Sequence, residues 1–77
     1  MHFLDQLRLI KKLHTSILRK KTGTASQLAK HLETSRSSLF RYISILTSMG
    51  ANIQYSYDYN TYFYKENFEL NLESLIF

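Results

Sequence analysis

The sequence predicts a mainly α domain with a small β-hairpin: three helices, then two short strands. Apolar residues recur at helical spacing in three segments before Gly50, and after it the period changes to two. Breaks rich in Gly, Thr and Ser separate the three helical segments. At 77 residues, with no cysteine, the chain forms one domain whose small core holds the fold without disulfides.

The first helix is expected over about 3–20, where Phe3, Leu4, Leu7, Ile10, Leu13, Ile17 and Leu18 share one side. Arg8, Lys11, Lys12, Thr15 and Arg19 take the other. It should end near "KKTG", with basic residues suiting the negative end of the dipole and Gly23 permitting the exit. "TASQ" carries a capping-box pattern, Thr24 with Gln27, ahead of a short second helix over about 26–32. Ser35 is a good N-cap for a third helix over about 36–49, stopped by Gly50. Alternation in "NIQYSYDYNTYFYK" predicts a hairpin over about 52–65 that turns at Asp58, Tyr59 and Asn60. "FELNL" predicts a further strand or extended arm within 66–77.

The third helix sorts its residues sharply. At about 100° per residue, Arg36, Ser37, Phe40, Arg41 and Ser44 fall within an arc of roughly 140°. Leu39, Tyr42, Ile43, Leu46 and Met49 fall opposite, so one face can dock on a core while the other offers charge, hydroxyls and a ring. A solvated surface helix has the same pattern, and charge distribution adds to the argument. The net charge of +4 divides into +7 over residues 1–42 and −3 over residues 43–77. A basic half suits a polyanion, because Lys and Arg release condensed counterions from phosphates, though such residues also serve simply to solubilise a helix.

Other classes fit poorly. No apolar run approaches the ~20 residues of a membrane span, and Asp5, Gln6 and Arg8 interrupt any signal-peptide core, so a cytoplasmic chain is expected. His2, His14 and His31 lie far apart without cysteine or carboxylate companions, so they read as structural or solvated and no metal or other cofactor is expected. No nucleophile–base–orienter set can be assembled, so the chain reads as a non-enzyme.

Three helices and a hairpin, with a three-residue break between the last two helices, resemble a winged helix-turn-helix. "LAKHLETSRSSLFRYI" carries the likeness: Leu28-Ala29 resembles the Leu-Ala pair that lets two helices approach, and Ser35-Arg36 the opening of many recognition helices. Leu39 and Ile43 resemble the two buried positions that fix that helix to its partner. "MGANIQYSYDYNTYFYKENFEL" is similar to the wing of DeoR-type bacterial regulators. Two departures are Glu33, where such families often carry Gly, and Thr34, where they often carry Val or Ile. The wing tip also lacks the Lys or Arg with which many wings grip phosphate.

The resemblance implies sequence-specific binding of double-stranded DNA by a transcriptional regulator, with the third helix in the major groove. Arg36, Ser37, Phe40 and Arg41 would meet bases, and Ser38 and Ser44 the backbone. Phe40 has two readings, contact with a thymine methyl or folding over an arginine. Thr24, Ser26 and Ser35 would meet phosphates at helix N-termini, and Tyr59 and Asn60 phosphate or sugar from the wing. Lys11, Lys12, Lys20, Lys21 and Lys30 would supply nonspecific attraction. The tyrosines read as sheet packing, with a stacking platform for bases as the alternative. The competing function is a winged-helix protein-interaction module without DNA binding, favoured by the apolar "LNLESLIF" end. A homodimer is expected through that end or through the first helix, where Phe3 and Leu4 project.

Overall fold

The structure, a computed structural model, describes residues 3–71. Helix α1 (Phe3–Leu18) buries Ile10, Leu13 and Ile17 of the expected face together with Leu9, which is not among its expected residues, while Phe3, Leu4 and Leu18 of that face are exposed. Helix α2 (Ala25–His31) buries Leu28 and Ala29, and α3 (Arg36–Ser48) buries Leu39, Tyr42 and Leu46. These side chains, with Leu32 and Ala51, form the core. Strands β1 (Ile53–Ser56) and β2 (Thr61–Tyr64) pair antiparallel with Ile53 opposite Tyr64 and Ser56 opposite Thr61.

The helix starts follow the expected chemistry. The Thr24 hydroxyl accepts from the Gln27 amide at 3.2 Å, and the Gln27 side-chain oxygen accepts from the Thr24 amide at 2.8 Å, which completes the capping box. Ser35 caps α3 by accepting from the Ser38 amide at 3.1 Å.

Of the helix ends, that of α3 at Gly50 follows expectation and that of α1 does not. All three helices close in the same way, with one residue turned into the left-handed region so that two amides reach back to orphan carbonyls. After α1, Lys20 takes φ +57°, its amide donating to the Ile17 carbonyl and that of Lys21 to Ser16. After α2, Glu33 takes φ +55°, with Glu33 donating to Lys30 and Thr34 to Ala29. After α3, Gly50 takes φ +105°, with Gly50 donating to Thr47 and Ala51 to Leu46. The first helix therefore ends at Leu18, short of residue 20, and Lys20 makes its exit instead of Gly23. Gly23 has a different reason to be glycine. At φ +71°, a Cβ there would lie 2.5 Å from the Gln27 oxygen that completes the capping box.

Only one of the three turning positions is glycine, so two carry left-handed strain of roughly 1–2 kcal/mol each. Glu33→Gly removes that strain but gives the unfolded chain more freedom, for a net gain of about 0.5–1 kcal/mol. The expected result is a melting temperature higher by about 3–6 °C. A thermal scan that shows a lower value would contradict the strain assigned to Glu33.

A two-stranded hairpin is marginal by itself and must lean on something. Ile53, Tyr62 and Tyr64 pack against the core, and the Lys65 amide extends the ladder by donating to the Asn52 carbonyl at 2.9 Å. A second attachment is polar. Thr22, in the linker between α1 and α2, and Thr61, at the start of β2, are both buried. The Thr22 amide donates to the Thr61 hydroxyl at 3.1 Å, and the Tyr62 amide donates to the Thr22 hydroxyl at 2.8 Å. The two hydroxyls lie 3.1 Å apart in a hydrogen bond of their own.

Residues 66–71 form no strand, and Phe68 and Leu70 pack on the core instead. The rest of the expected arm, including the apolar end Leu72–Phe77, lies outside the described residues, as does His2. Phe3 and Leu4 are exposed at the start of α1.

His14 has a structural place. Its Nδ1 shares a 2.7 Å hydrogen bond with the Tyr64 hydroxyl, and the Phe68 ring meets it edge-on at 5.9 Å. Burial lowers the His14 pKa from 6.5 and pushes the Tyr64 phenol up to about 12. Below pH 6.5 the unfolded chain therefore takes up the His14 proton before the folded one does, so stability present above that pH is lost on acidification. Above pH 10 the unfolded Tyr64 ionises first, so stability also falls as pH rises from 10 toward about 12. Urea midpoints should fall on both sides, and His14→Gln should flatten the acid limb selectively. An unchanged acid limb in that variant would show that other groups control it.

Candidate nucleic-acid interface

The third helix presents the arc that its sequence pattern requires. Arg36, Ser37, Phe40, Arg41 and Ser44 are all exposed, while Leu39, Tyr42 and Leu46 anchor the opposite side at no more than 2% exposure. Phe40 leaves 43% of its surface in solvent, an unusual place for a large ring. The Arg41 guanidinium lies over the Tyr42 ring, 5.5 Å from its centroid, which steadies the cation at the edge of the core.

The start of α3 and the hairpin are electrostatic neighbours. Burial raises the Tyr62 pKa above 10, the phenols of Tyr55 and Tyr57 add to the rise, and the positive charge of Arg36 opposes it. Tyr62 meets Tyr55 edge-on at 4.8 Å, and Tyr55 meets Tyr57 edge-on at 5.0 Å. A ladder of three rings thus runs from the vicinity of Arg36 to the hairpin tip. At that tip Tyr57 and Tyr59 are 86% and 84% exposed. The turn itself is held by the Tyr59 amide donating to the Ser56 hydroxyl and by Asn60 at φ +49°. Asn60 also accepts a long 3.4 Å bond from the Tyr55 hydroxyl.

The remaining candidates divide. Ser26 and Lys30 are exposed on α2, but the Thr24 and Ser35 hydroxyls are already engaged as caps. Ser38 is half-buried. Lys11, Lys12 and Lys21 line a groove with other residues of α1 and His31 of α2, to which α3 and the hairpin contribute none of the lining.

Lys20 goes elsewhere. It lines a cleft of about 440 Å³ with Ser56, Tyr59, Thr61 and Phe63, so the hairpin that lacks its own cation at the tip has one beside it. Periodicity could not show this, because the placement follows from the left-handed turn at Lys20 and the bonds joining Thr22 to β2.

A family model described as "HTH domain" matches residues 8–56, from within α1 to the end of β1. The chain belongs to the helix-turn-helix domain family. No curated protein and no solved structure matches it.

In this HTH domain, α2 and α3 are the paired helices and β1–β2 is the wing. The turn between α2 and α3 contains Glu33 at φ +55°, a backbone that glycine adopts without strain, in keeping with the glycine expected there from the resemblance. Thr34 is half-buried in the same turn, consistent with its methyl replacing part of a larger apolar side chain. Among the described residues, no helix is long and apolar enough to cross a membrane. His31 is exposed at the end of α2.

Lys20 and Glu33 make opposite demands on any polyanion. Lys20→Gly should raise thermal stability as Glu33→Gly does, because both relieve the same backbone strain, yet weaken duplex binding by removing the cation beside the wing. Glu33→Gly removes a negative charge and should strengthen binding. Paired melting and binding curves check the contrast. Affinities that move in the same direction for both variants would remove Lys20 from the interface.

Proposed function

We propose that this HTH domain binds double-stranded DNA selectively and regulates transcription, with α3 in the major groove. The observation that carries the reading is the exposed arc of Arg36, Ser37, Phe40, Arg41 and Ser44 on a helix whose other face is locked into the core. Arg36 and Arg41 are suited to bidentate bonds with guanine, and Phe40 to the methyl of thymine. Thr24, Ser26 and Ser35, at the starts of α2 and α3, are suited to phosphates, and Ser38 and Ser44 to the DNA backbone. On the wing, Tyr59 and Asn60 offer hydrogen bonds to the backbone, and Lys20 supplies the charge.

The similarity of the wing sequence to DeoR-type regulators supports a bacterial-type regulator. One α3 reads too few base pairs to find a site in a genome, so two copies related by a two-fold axis are the natural reading unit. The exposed Phe3 and Leu4 support an α1 interface for that pair.

The test is binding to mixed-sequence and selected duplexes across a salt series. Phosphate contacts require log K to fall linearly with log salt, by about 0.9 for each phosphate neutralised. Selection should then enrich one sequence over the mixture. No detectable duplex binding at low salt would leave the interaction-module reading, in which the exposed wing tyrosines serve a protein partner.

A further inference from the structure

A second cationic surface lies outside the interface described above. A groove of about 650 Å³ on the outer side of α1 is lined by Arg8, Lys11, Lys12, Arg19, Lys21 and His31. Its two remaining residues are Thr15 and Ser16, so it contains five permanent cations and no large apolar side chain. Arg8 pairs with Asp5 at 4.0 Å, an exposed contact that neutralises little. Among the described residues, none from α3 or the wing contributes to the groove.

The shared core separates the two basic surfaces. Leu9, Ile10, Leu13 and Ile17 point inward from α1, and Leu39, Tyr42 and Leu46 point inward from α3. The groove and the arc of α3 therefore lie on outer sides of two helices that pack on one core. None of Arg36, Ser37, Phe40, Arg41 and Ser44 lines the groove.

We propose that the groove holds the phosphate backbone of a second duplex, so that one HTH domain bridges two DNA segments. The inference rests on the DNA-binding reading of α3. Its argument is charge and length. Arg8 to Arg19 spans eleven residues, about 16 Å at the helical rise, which is long enough to meet more than one phosphate of a strand. Four of the five cations, Arg8, Lys11, Lys12 and Arg19, lie within that length, and Lys21 follows it. The composition separates nucleic acid from a bilayer: peripheral membrane helices pair their cations with apolar side chains that insert below the headgroups, and the groove lining has none. Without base-reading geometry, the second contact is indifferent to sequence and steep in salt.

A two-duplex capture assay tests this on the full chain. One duplex is immobilised, the protein is added, and retention of a second, labelled duplex is measured. The parent should retain the labelled strand. Lys11→Glu/Lys12→Glu/Arg19→Glu, all at exposed positions, should lower retention of the labelled duplex at least tenfold when parent and variant are loaded to equal occupancy on the immobilised one. Retention that persists in that variant would mean two copies bridge through their α3 helices, which overturns the groove assignment. A parent that binds one duplex but retains no second also overturns it and leaves the α3 reading intact. A parent that binds no duplex removes both. Groove-dependent binding to anionic-lipid vesicles, with no second duplex retained, would assign the surface to membranes and equally refute the proposal.

Discussion

Replacing both exposed arginines of α3, Arg36→Ala/Arg41→Ala, should reduce affinity for the selected duplex by about 30-fold or more while the protein stays folded. Each base contact of this kind is worth roughly 1–3 kcal/mol, and 1.4 kcal/mol is tenfold. The two sites differ in what else they do. Arg36 acts on Tyr62 from the start of α3, whereas Arg41 rests on the Tyr42 ring, an interaction worth about 0.5–1 kcal/mol at an exposed site. Arg36→Ala should therefore leave the melting temperature unchanged, and Arg41→Ala should lower it slightly. Both should relax base preference at one position each. If the double variant binds like the parent, α3 is not the reading helix.

The largest effect on stability should come from Leu39→Ala, one residue from Phe40. Leu39 has no exposed surface, and truncating such a side chain costs about 2–5 kcal/mol through lost burial and the cavity left behind. A domain of 77 residues has roughly 4–11 kcal/mol in total, so the variant should melt far lower or fail to fold near body temperature. Phe40→Ala should do the reverse, keeping the melting temperature within a few degrees and weakening duplex binding. Circular dichroism melts and binding curves on the pair separate the two faces of one helix. A Phe40 variant that melts like the Leu39 variant would place that ring in the core.

The architecture was legible where the information is local. The repeat of apolar residues along α1, the Thr24–Gln27 capping box, the Ser35 cap and the change of period after Gly50 each follow from neighbours within a few residues. The exposed arc of α3 was legible for the same reason, since the face of a helix follows from residue spacing alone. The helix ends were harder. Sequence signals for a left-handed turn favour glycine, so Gly23 drew the expectation while Lys20 and Glu33 adopted the turns. Their strain is met by paired backbone bonds that no side chain advertises. Contacts distant along the chain were hidden altogether. His14 and Tyr64, Thr22 and Thr61, and Lys20 beside Tyr59 depend on where the hairpin docks.

The bonds between Thr22 and Thr61 also bear on the order in which the chain folds. Each helix cap joins residues three to five positions apart and can form as soon as its helix nucleates. The threonine pair joins residues 39 positions apart, so it cannot form until most of the domain is held in place. Wing docking is therefore expected to follow formation of the helix caps. A defect in the threonine pair would accordingly act on the rate at which the native state opens, while the rate of first collapse stays nearly the same. On that order the wing would act as a latch on the helical body, and slowed opening of the native state in hydrogen exchange would depend on the Thr22–Thr61 pair.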